Sequence, residues 1–156
     1  GASIQGNEIF AVATDKDIWF ETKITPTDAE GSAMDICIGL TVNFATNPEA
    51  MLTAADRIVF QVDDGDSNID CVTEKDGTAT TTDSGVDIAS GTAVTLGFHV
   101  KSTGSVEFFV NRNKVATHTA NIPDDENLAL GAMQLSGSAT GTKSMNIDYI
   151  FAAQVR

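Results

Sequence analysis

The sequence has little positive charge. Lys and Arg together number 9 against 22 Asp and Glu, and the formal net charge is -13. Proteins that bind nucleic acid neutralise phosphates with clustered basic residues, whereas the basic residues here are scattered singly along the chain. The composition therefore argues against a nucleic-acid partner. It predicts instead a surface whose copies repel one another and resist aggregation.

Cysteine and long apolar runs are also scarce. The two cysteines, Cys37 and Cys71, are too far apart for a CxxC metal or redox motif. We expect both to be buried free thiols, which favours assembly in a reducing compartment. No apolar run exceeds the length of a strand, so the sequence predicts no membrane-spanning helix and no membrane partner.

The dominant pattern that is present is alternation of apolar and polar residues. Ile18, Phe20 and Ile24 share one face of a predicted strand, and the same period of two recurs in 34–44, 58–62, 94–100, 106–110 and 145–155. Strong turn signals such as Asp76-Gly77 separate these segments. The pattern predicts an all-β, antiparallel two-sheet β-sandwich of ten or more short strands. A single short helix is expected near Pro48, capped by Asn47.

A more specific pattern lies in the second half of the chain. The run "TLGFHVKSTGSVEFFVNRNKVATHTANIPDDENLAL", followed by "MNIDYIFAAQVR", gives a strand, a hairpin, an acidic loop with a proline, and a closing strand. This layout resembles the concanavalin A-like lectin/glucanase (jelly-roll) superfamily. Within it, the run is similar to the capsid decoration or cement proteins of tailed bacteriophages. The upstream segment "CVTEKDGTATTTDSGVDI" resembles the preceding hairpin of those proteins.

The resemblance implies a fold and a role. The length of 156 residues is that of a single domain, and the resemblance implies that this domain, residues 1–156, is a jelly roll. Residues 1–10 precede the first strongly predicted strand, and we expect them to form an extended N-terminal arm that reaches a neighbour. The implied role is a non-enzymatic virion protein that contacts the major capsid protein at the capsid surface, as a dimer or trimer, after assembly in the host cytoplasm. The alternative is a lectin-like carbohydrate-binding module on a phage fibre or cell surface, either calcium-dependent or not.

The residue patterns of catalysis are missing from the sequence. A sandwich glycosidase would place alternating carboxylates on one strand, so that one acid protonates the leaving group while another attacks. Glu21 and Glu107 each stand alone in their strands. The only histidines, His99 and His118, have no GxSxG nucleophile elbow beside them, and we expect them to be ordinary surface or sheet-face residues. The sequence therefore predicts no enzyme activity.

Two acidic segments are the candidates for a metal site. Asp64, Asp66 and Asp70 alternate like the start of a calcium loop, but an EF-hand would need Gly and Glu where this chain has Ile69 and Lys75. The second candidate segment consists of Asp124, Asp125 and Glu126. A looser calcium site remains an alternative in either segment. The simpler interpretation is that these residues hydrogen-bond their own turns. The sequence predicts no other cofactor.

Two aromatic residues fall on the polar phase of their strands. Trp19 and Phe109 alternate away from the predicted core, whereas Tyr149 is in phase with the core face of its strand. An outward aromatic ring marks either a second packing layer or a contact with a partner. Trp19 and Phe109 are therefore our candidates for a glycan site or a subunit interface, with packing inside the fold as the alternative.

Overall fold

The chain folds into two antiparallel sheets that face each other. The computed structural model describes residues 1–27, 34–44, 47–137 and 143–156. A six-stranded sheet has the order β1-β10-β3-β4-β5-β6, and a five-stranded sheet has the order β11-β2-β7-β8-β9. The predicted all-β sandwich is confirmed. The strands are β1 Ala2–Ala11, β2 Ile18–Thr27, β3 Met34–Thr41, β4 Arg57–Val62, β5 Asn68–Lys75, β6 Thr78–Asp87, β7 Val94–Lys101, β8 Ser105–Val110, β9 Asn113–His118, β10 Asn127–Ser136 and β11 Ser144–Gln154.

The main core lies between the two sheets and follows the alternation of the sequence. Phe60 of the six-stranded sheet meets Phe108 of the five-stranded sheet edge to face, with ring centroids 5.4 Å apart. Phe98 stacks on Phe20 within the five-stranded sheet at 4.7 Å. Such buried rings dominate the packing energy of a small sandwich. Because successive side chains of a strand point to opposite faces, the inward rings of β2, β7 and β8 also determine which of their neighbours point outward.

A short 3₁₀ helix, Pro48–Thr53, covers the outer face of the six-stranded sheet. Asn47 caps it by accepting a hydrogen bond from the amide of Glu49 at 3.2 Å, as the sequence predicted. Met51 is fully buried in a second apolar cluster with Cys37, Val59, Val72 and Met133. Because of this cover, the central strands of the sheet are buried on both faces rather than on one.

Both cysteines are buried free thiols, which confirms the prediction. Burial raises the pKa of Cys37 to about 12, and burial also raises that of Cys71 to about 12. A buried thiol with so high a pKa is neutral and unreactive at physiological pH. The described part of the chain also contains no helix that is long and apolar enough to cross a membrane.

Residues 1–10 form most of a strand instead of an extended arm. β1 pairs antiparallel with β10, from Ala2 opposite Gln134 to Ala11 opposite Asn127. The physical reason lies at its C-terminal end, where Phe10 enters the main core. The strand is an edge of the six-stranded sheet.

A β-bulge interrupts β11 and reverses its two faces. The register against β2 shifts between Ile147 and Tyr149. Ile147 packs on the core before the bulge, and Ile150 does so after it. Tyr149 and Phe151 consequently point outward, with 39% and 52% of their surface exposed. The prediction that Tyr149 faces the core is wrong, because the bulge adds one residue that simple alternation does not count.

His118 is buried rather than on the surface. Its side chain is 3% exposed, at the end of β9. Nδ1 lies 3.0 Å from the hydroxyl of Thr73, and Nε2 lies 2.9 Å from the hydroxyl of Thr82. The prediction of an ordinary surface or sheet-face position is therefore wrong for His118. Its ring joins β9 of one sheet to β5 and β6 of the other.

Candidate functional site

The candidate site is an open groove on the outer face of the five-stranded sheet. Its volume is about 430 Å³. Trp19 comes from β2, His99 from β7, Phe109 from β8 and Phe151 from β11. Four neighbouring strands therefore contribute side chains to one surface, which we call the aromatic groove. Its lining also includes Glu21, Thr95, Gly97 and Arg112.

Gly97 forms the floor of the aromatic groove. It pairs with Glu21 of β2 on one side and with Phe109 of β8 on the other. Phe151 of β11 pairs in turn with Glu21, so the four residues form one row across the sheet. A Cβ atom at Gly97 would lie 3.1 Å from the carbonyl oxygen of Phe20. The missing side chain leaves a depression between the rings of Phe151 and Phe109.

Trp19 is held in place by its neighbour His99. The two rings stack with centroids 4.9 Å apart and planes 16° from parallel. His99 Nε2 lies 2.8 Å from a carboxylate oxygen of Asp17, which fixes the imidazole. Trp19 nevertheless keeps 41% of its surface exposed. The result is a large, oriented aromatic surface that the fold itself does not cover.

Polar groups lie beside these rings. Tyr149 donates its hydroxyl proton to Glu21 Oε1 across 2.6 Å. This hydrogen bond raises the pKa of Tyr149, so the phenol stays protonated and holds the carboxylate in one orientation. Arg112 lies at the rim, in the tight turn between β8 and β9, where its φ of 66° is left-handed. The groove thus offers both an acceptor and a strong donor.

The turn that carries Arg112 is tied to the sheet. Asn111 donates its amide to the carbonyl of Thr95 at 2.7 Å and accepts the Thr95 amide on its side-chain oxygen at 3.0 Å. The left-handed φ of 50° at Asn111 is well suited to this residue type. The position of Arg112 is therefore set by the backbone of β7.

The other carboxylate predicted to stand alone, Glu107, is neutralised by lysines. Lys101 lies 2.9 Å from it and Lys114 lies 3.4 Å from it. The hydrogen bond from Lys101 is the main cause of the lowered pKa of Glu107. Glu107 is therefore ionised, and its two oxygens are occupied by cations.

The acidic segments do not form a shared metal centre. Asp66 accepts the amide of Asn68 at 3.0 Å, just before β5, and so supports its own turn. Lys75, at the opposite end of β5, forms ion pairs with Asp124 and, at 3.4 Å, with Asp125. Within the described ranges, no group of three or more His, Cys, Asp or Glu side chains is placed to hold a metal ion. Calcium binding stays a prediction.

Individual acids in these segments have other contacts. The amide of Asp64 donates to a carboxylate oxygen of Asp35 at 2.8 Å. Burial raises the pKa of Asp70, and the nearby charge of Asp83 adds to the effect. Lys75 lowers the pKa of Asp124 through their hydrogen bond. These contacts describe turns and ion pairs rather than a set of converging ligands.

Sequence reasoning found part of the groove. Trp19 and Phe109, singled out by their phase, both line it, and the structure brings them onto one sheet face, with β7 between their two strands. Phe151 and the floor at Gly97 were missed. The bulge concealed Phe151, and a glycine within an otherwise regular strand was the available signal for the floor.

Comparison with known proteins gives fold neighbours among sugar-binding and enzyme structures. Sheep galectin-11, solved with glycerol, matches with a TM-score of 0.59 and 12% identity over 97% of this chain and 96% of the galectin chain. The carbohydrate-binding module CBM66 from Bacillus subtilis matches with a TM-score of 0.55 and 12% identity over 90% and 76% of the two chains. Alginate lyase AlyC3 matches with a TM-score of 0.66 and 9% identity over 94% and 68%.

These matches establish the concanavalin A-like jelly-roll fold, in which both binding proteins and enzymes occur. At such identities they establish nothing finer than the fold. No curated protein sequence matches the chain. One family model does match, over residues 2–148, which is nearly the whole length. The chain therefore belongs to the SO2946-like, C-terminal domain family.

Proposed function

We propose that this domain binds carbohydrate in the aromatic groove. The observation that carries the proposal is the set of outward rings, Trp19, Phe109 and Phe151, around a floor without a side chain at Gly97. Sugar rings have apolar C–H faces that pack on aromatic rings, and their hydroxyls need directed polar partners. Glu21 supplies an acceptor and Arg112 supplies donors within the same groove.

The fold comparisons agree with this proposal. Two of the similar structures are a galectin and a carbohydrate-binding module, and both share the two-sheet sandwich. The support is limited to the fold, so the proposal rests on the residues of the groove.

We further propose that the domain binds without catalysing a reaction. Glu107 is occupied by Lys101 and Lys114, and Glu21 is bound by Tyr149. A retaining or inverting glycosidase needs two carboxyl groups that act on the same bond. Since AlyC3 has the same fold and is a lyase, incubation with alginate is a direct check, and no new unsaturated product is expected.

The first test is binding by the variant Trp19→Ala. A glycan array identifies a bound sugar, and titration calorimetry then measures its affinity. We expect the variant to bind about fivefold or more weakly, since the loss of a stacked ring costs about 1 kcal/mol or more. Its melting temperature should stay close to that of the wild type, because Trp19 is 41% exposed.

Ile9→Ala is the matched control. Ile9 is also a large exposed side chain, at 68%, but it lies on β1 of the other sheet. It should leave sugar affinity unchanged. Equal affinities for Trp19→Ala and the wild type, or no bound glycan on the array, would contradict the proposal.

Capsid decoration remains a second hypothesis, supported by the sequence resemblance. The exposed Ile4 and Ile9 on β1 are the apolar side chains of the six-stranded sheet's edge that a shell protein or a second copy would contact. In that case the domain would lie on a virion surface after assembly in the host cytoplasm. Co-sedimentation with purified shells that lack the protein would test the hypothesis.

A further inference from the structure

We propose that the aromatic groove takes a linear, uncharged oligosaccharide that lies across the strands, rather than a single terminal sugar. The inference rests on the proposed function and adds the length, direction and charge class of the ligand. It is carried by the row Phe151, Glu21, Gly97 and Phe109, whose members belong to four adjacent strands.

The length follows from the geometry of the sheet. Neighbouring strands lie about 4.8 Å apart, so the row from β11 to β8 spans roughly 14 Å, or about three sugar units. A single pyranose would contact the rings at one end only. A chain of linked sugars would contact Phe151, pass over Gly97 and reach Phe109.

The absence of a side chain at Gly97 leaves room for a sugar ring in the middle of this path. A side chain there would stand between the two end rings, on the same face as Glu21 and Phe109. Trp19 and His99 occupy the next row of the same face, as a cross-strand pair. The middle sugar would therefore lie over Gly97 with the stacked pair as its side wall.

One end of the path is open. β11 is the edge strand of the five-stranded sheet, so among the residues that the structure describes no further strand follows Phe151. A glycan can extend past this edge into solvent without rearrangement of the fold. The groove is thus suited to an internal stretch of a longer chain as well as to its end.

We infer that the ligand is uncharged because the lysines on this face of the sheet are paired with carboxylates. On this face Lys23 pairs with Asp148 at 2.8 Å, while Lys101 and Lys114 both pair with Glu107. Arg112 and Glu21, the charged groups in the groove lining, have opposite signs. A polyanionic glycan would gain little from this face and would be repelled by a chain with a net charge of -13.

The experiment measures affinity against ligand length. Titration calorimetry would use neutral gluco-, manno- and galacto-oligosaccharides of one to four units, with oligogalacturonate as the acidic comparison. In the neutral series that binds, affinity should rise from one to three units and level off at four. Oligogalacturonate of the same length should bind more weakly.

Phe151→Ala tests the outer end of the path. Since Phe151 is 52% exposed, the variant should fold, and its melting temperature serves as the check. It should lose about tenfold in affinity for the trisaccharide, equivalent to about 1.4 kcal/mol, and a smaller factor for the monosaccharide, which does not contact both end rings. Ile9→Ala is again the control and should keep the full dependence on length.

The outcomes separate this inference from the function on which it rests. Equal affinity for one and three units, an unchanged trisaccharide affinity in Phe151→Ala, or tighter binding of oligogalacturonate would overturn the inference and leave carbohydrate binding standing. Failure of every sugar to bind would overturn both.

Discussion

At the scale of single residues, the hydrogen bonds around the buried His118 fix the position of its imidazole proton. Thr73 donates its one hydroxyl proton to the carbonyl of Ala120 at 3.1 Å. Its oxygen is then left to accept from His118, so Nδ1 carries the imidazole proton and Nε2 accepts from Thr82. Burial lowers the pKa of His118 from its ordinary value of 6.5. The folded protein therefore holds the neutral ring.

This lowered pKa predicts a loss of stability in mild acid. Above pH 6.5 the ring is neutral in both states, and its contribution is fully present. As the pH falls from 6.5 towards the folded-state value, the unfolded chain takes up the proton first, so the free energy of unfolding decreases. We expect the melting temperature of the wild type to decline over this window, and His118→Gln to show a flatter profile.

His99→Gln is the matched control for this profile. His99 is half-buried and contacts Asp17, so it separates the effect of the buried ring from that of the other histidine. The interpretation fails if His118→Gln keeps the wild-type slope.

At the scale of elements, alternation predicted the regular strands and failed at irregular ones. The inward faces of β2, β7 and β8 follow the sequence because each of these strands presents one face to the core and the other outward. β11 deviates because its bulge depends on pairing with β2, which the sequence of β11 alone does not encode. Phe151 could not be assigned to the groove for that reason.

The burial of His118 could not be predicted either, for a related reason. Its partners, Thr73 and Thr82, lie on strands of the opposite sheet and far away in sequence. Period alone assigns a residue to a face of its own strand. It does not say how closely the end of that strand approaches the other sheet.

Met51 is the buried side chain by which the 3₁₀ helix Pro48–Thr53 enters the second apolar cluster, and this gives a prediction for stability. Met51 is fully buried, and its methyl lies so close over β10 that a Cβ atom at Gly131 would be 3.1 Å from it. Met51→Ala should lower the free energy of unfolding by about 2–5 kcal/mol, since it leaves a cavity. Urea denaturation measures the change.

Ile9→Ala serves as the comparison for Met51→Ala. Ile9 is 68% exposed, so its truncation should change the free energy of unfolding by less than about 0.5 kcal/mol. Similar losses in the two variants would show that the helix does not act as a packed cover.

At the scale of the whole molecule, the net charge of -13 acts against the folded state. Folding brings the excess carboxylates together, and their mutual repulsion is reduced when salt screens it. We expect the melting temperature to rise between about 0.01 M and 0.15 M NaCl, as the Debye length shortens from about 30 Å to about 8 Å.

Two further measurements make the salt experiment specific. KCl should give the same rise as NaCl, because screening does not depend on the identity of the cation. The affinity for a neutral oligosaccharide should be nearly independent of salt, because no ligand charge is involved. A melting temperature that falls with salt would contradict the repulsion argument.

The bulge in β11 comes from one extra residue in that strand. The pair of Ile147 with Ile24 is followed directly by the pair of Tyr149 with Lys23, so Asp148 is the extra residue of the bulge. Removing Asp148 would let the strand alternate without a bulge, with Ile150 still facing the core and Phe151 still facing outward. Among members of this family, a chain that is one residue shorter before Phe151 is therefore expected to keep its aromatic surface on a regular strand.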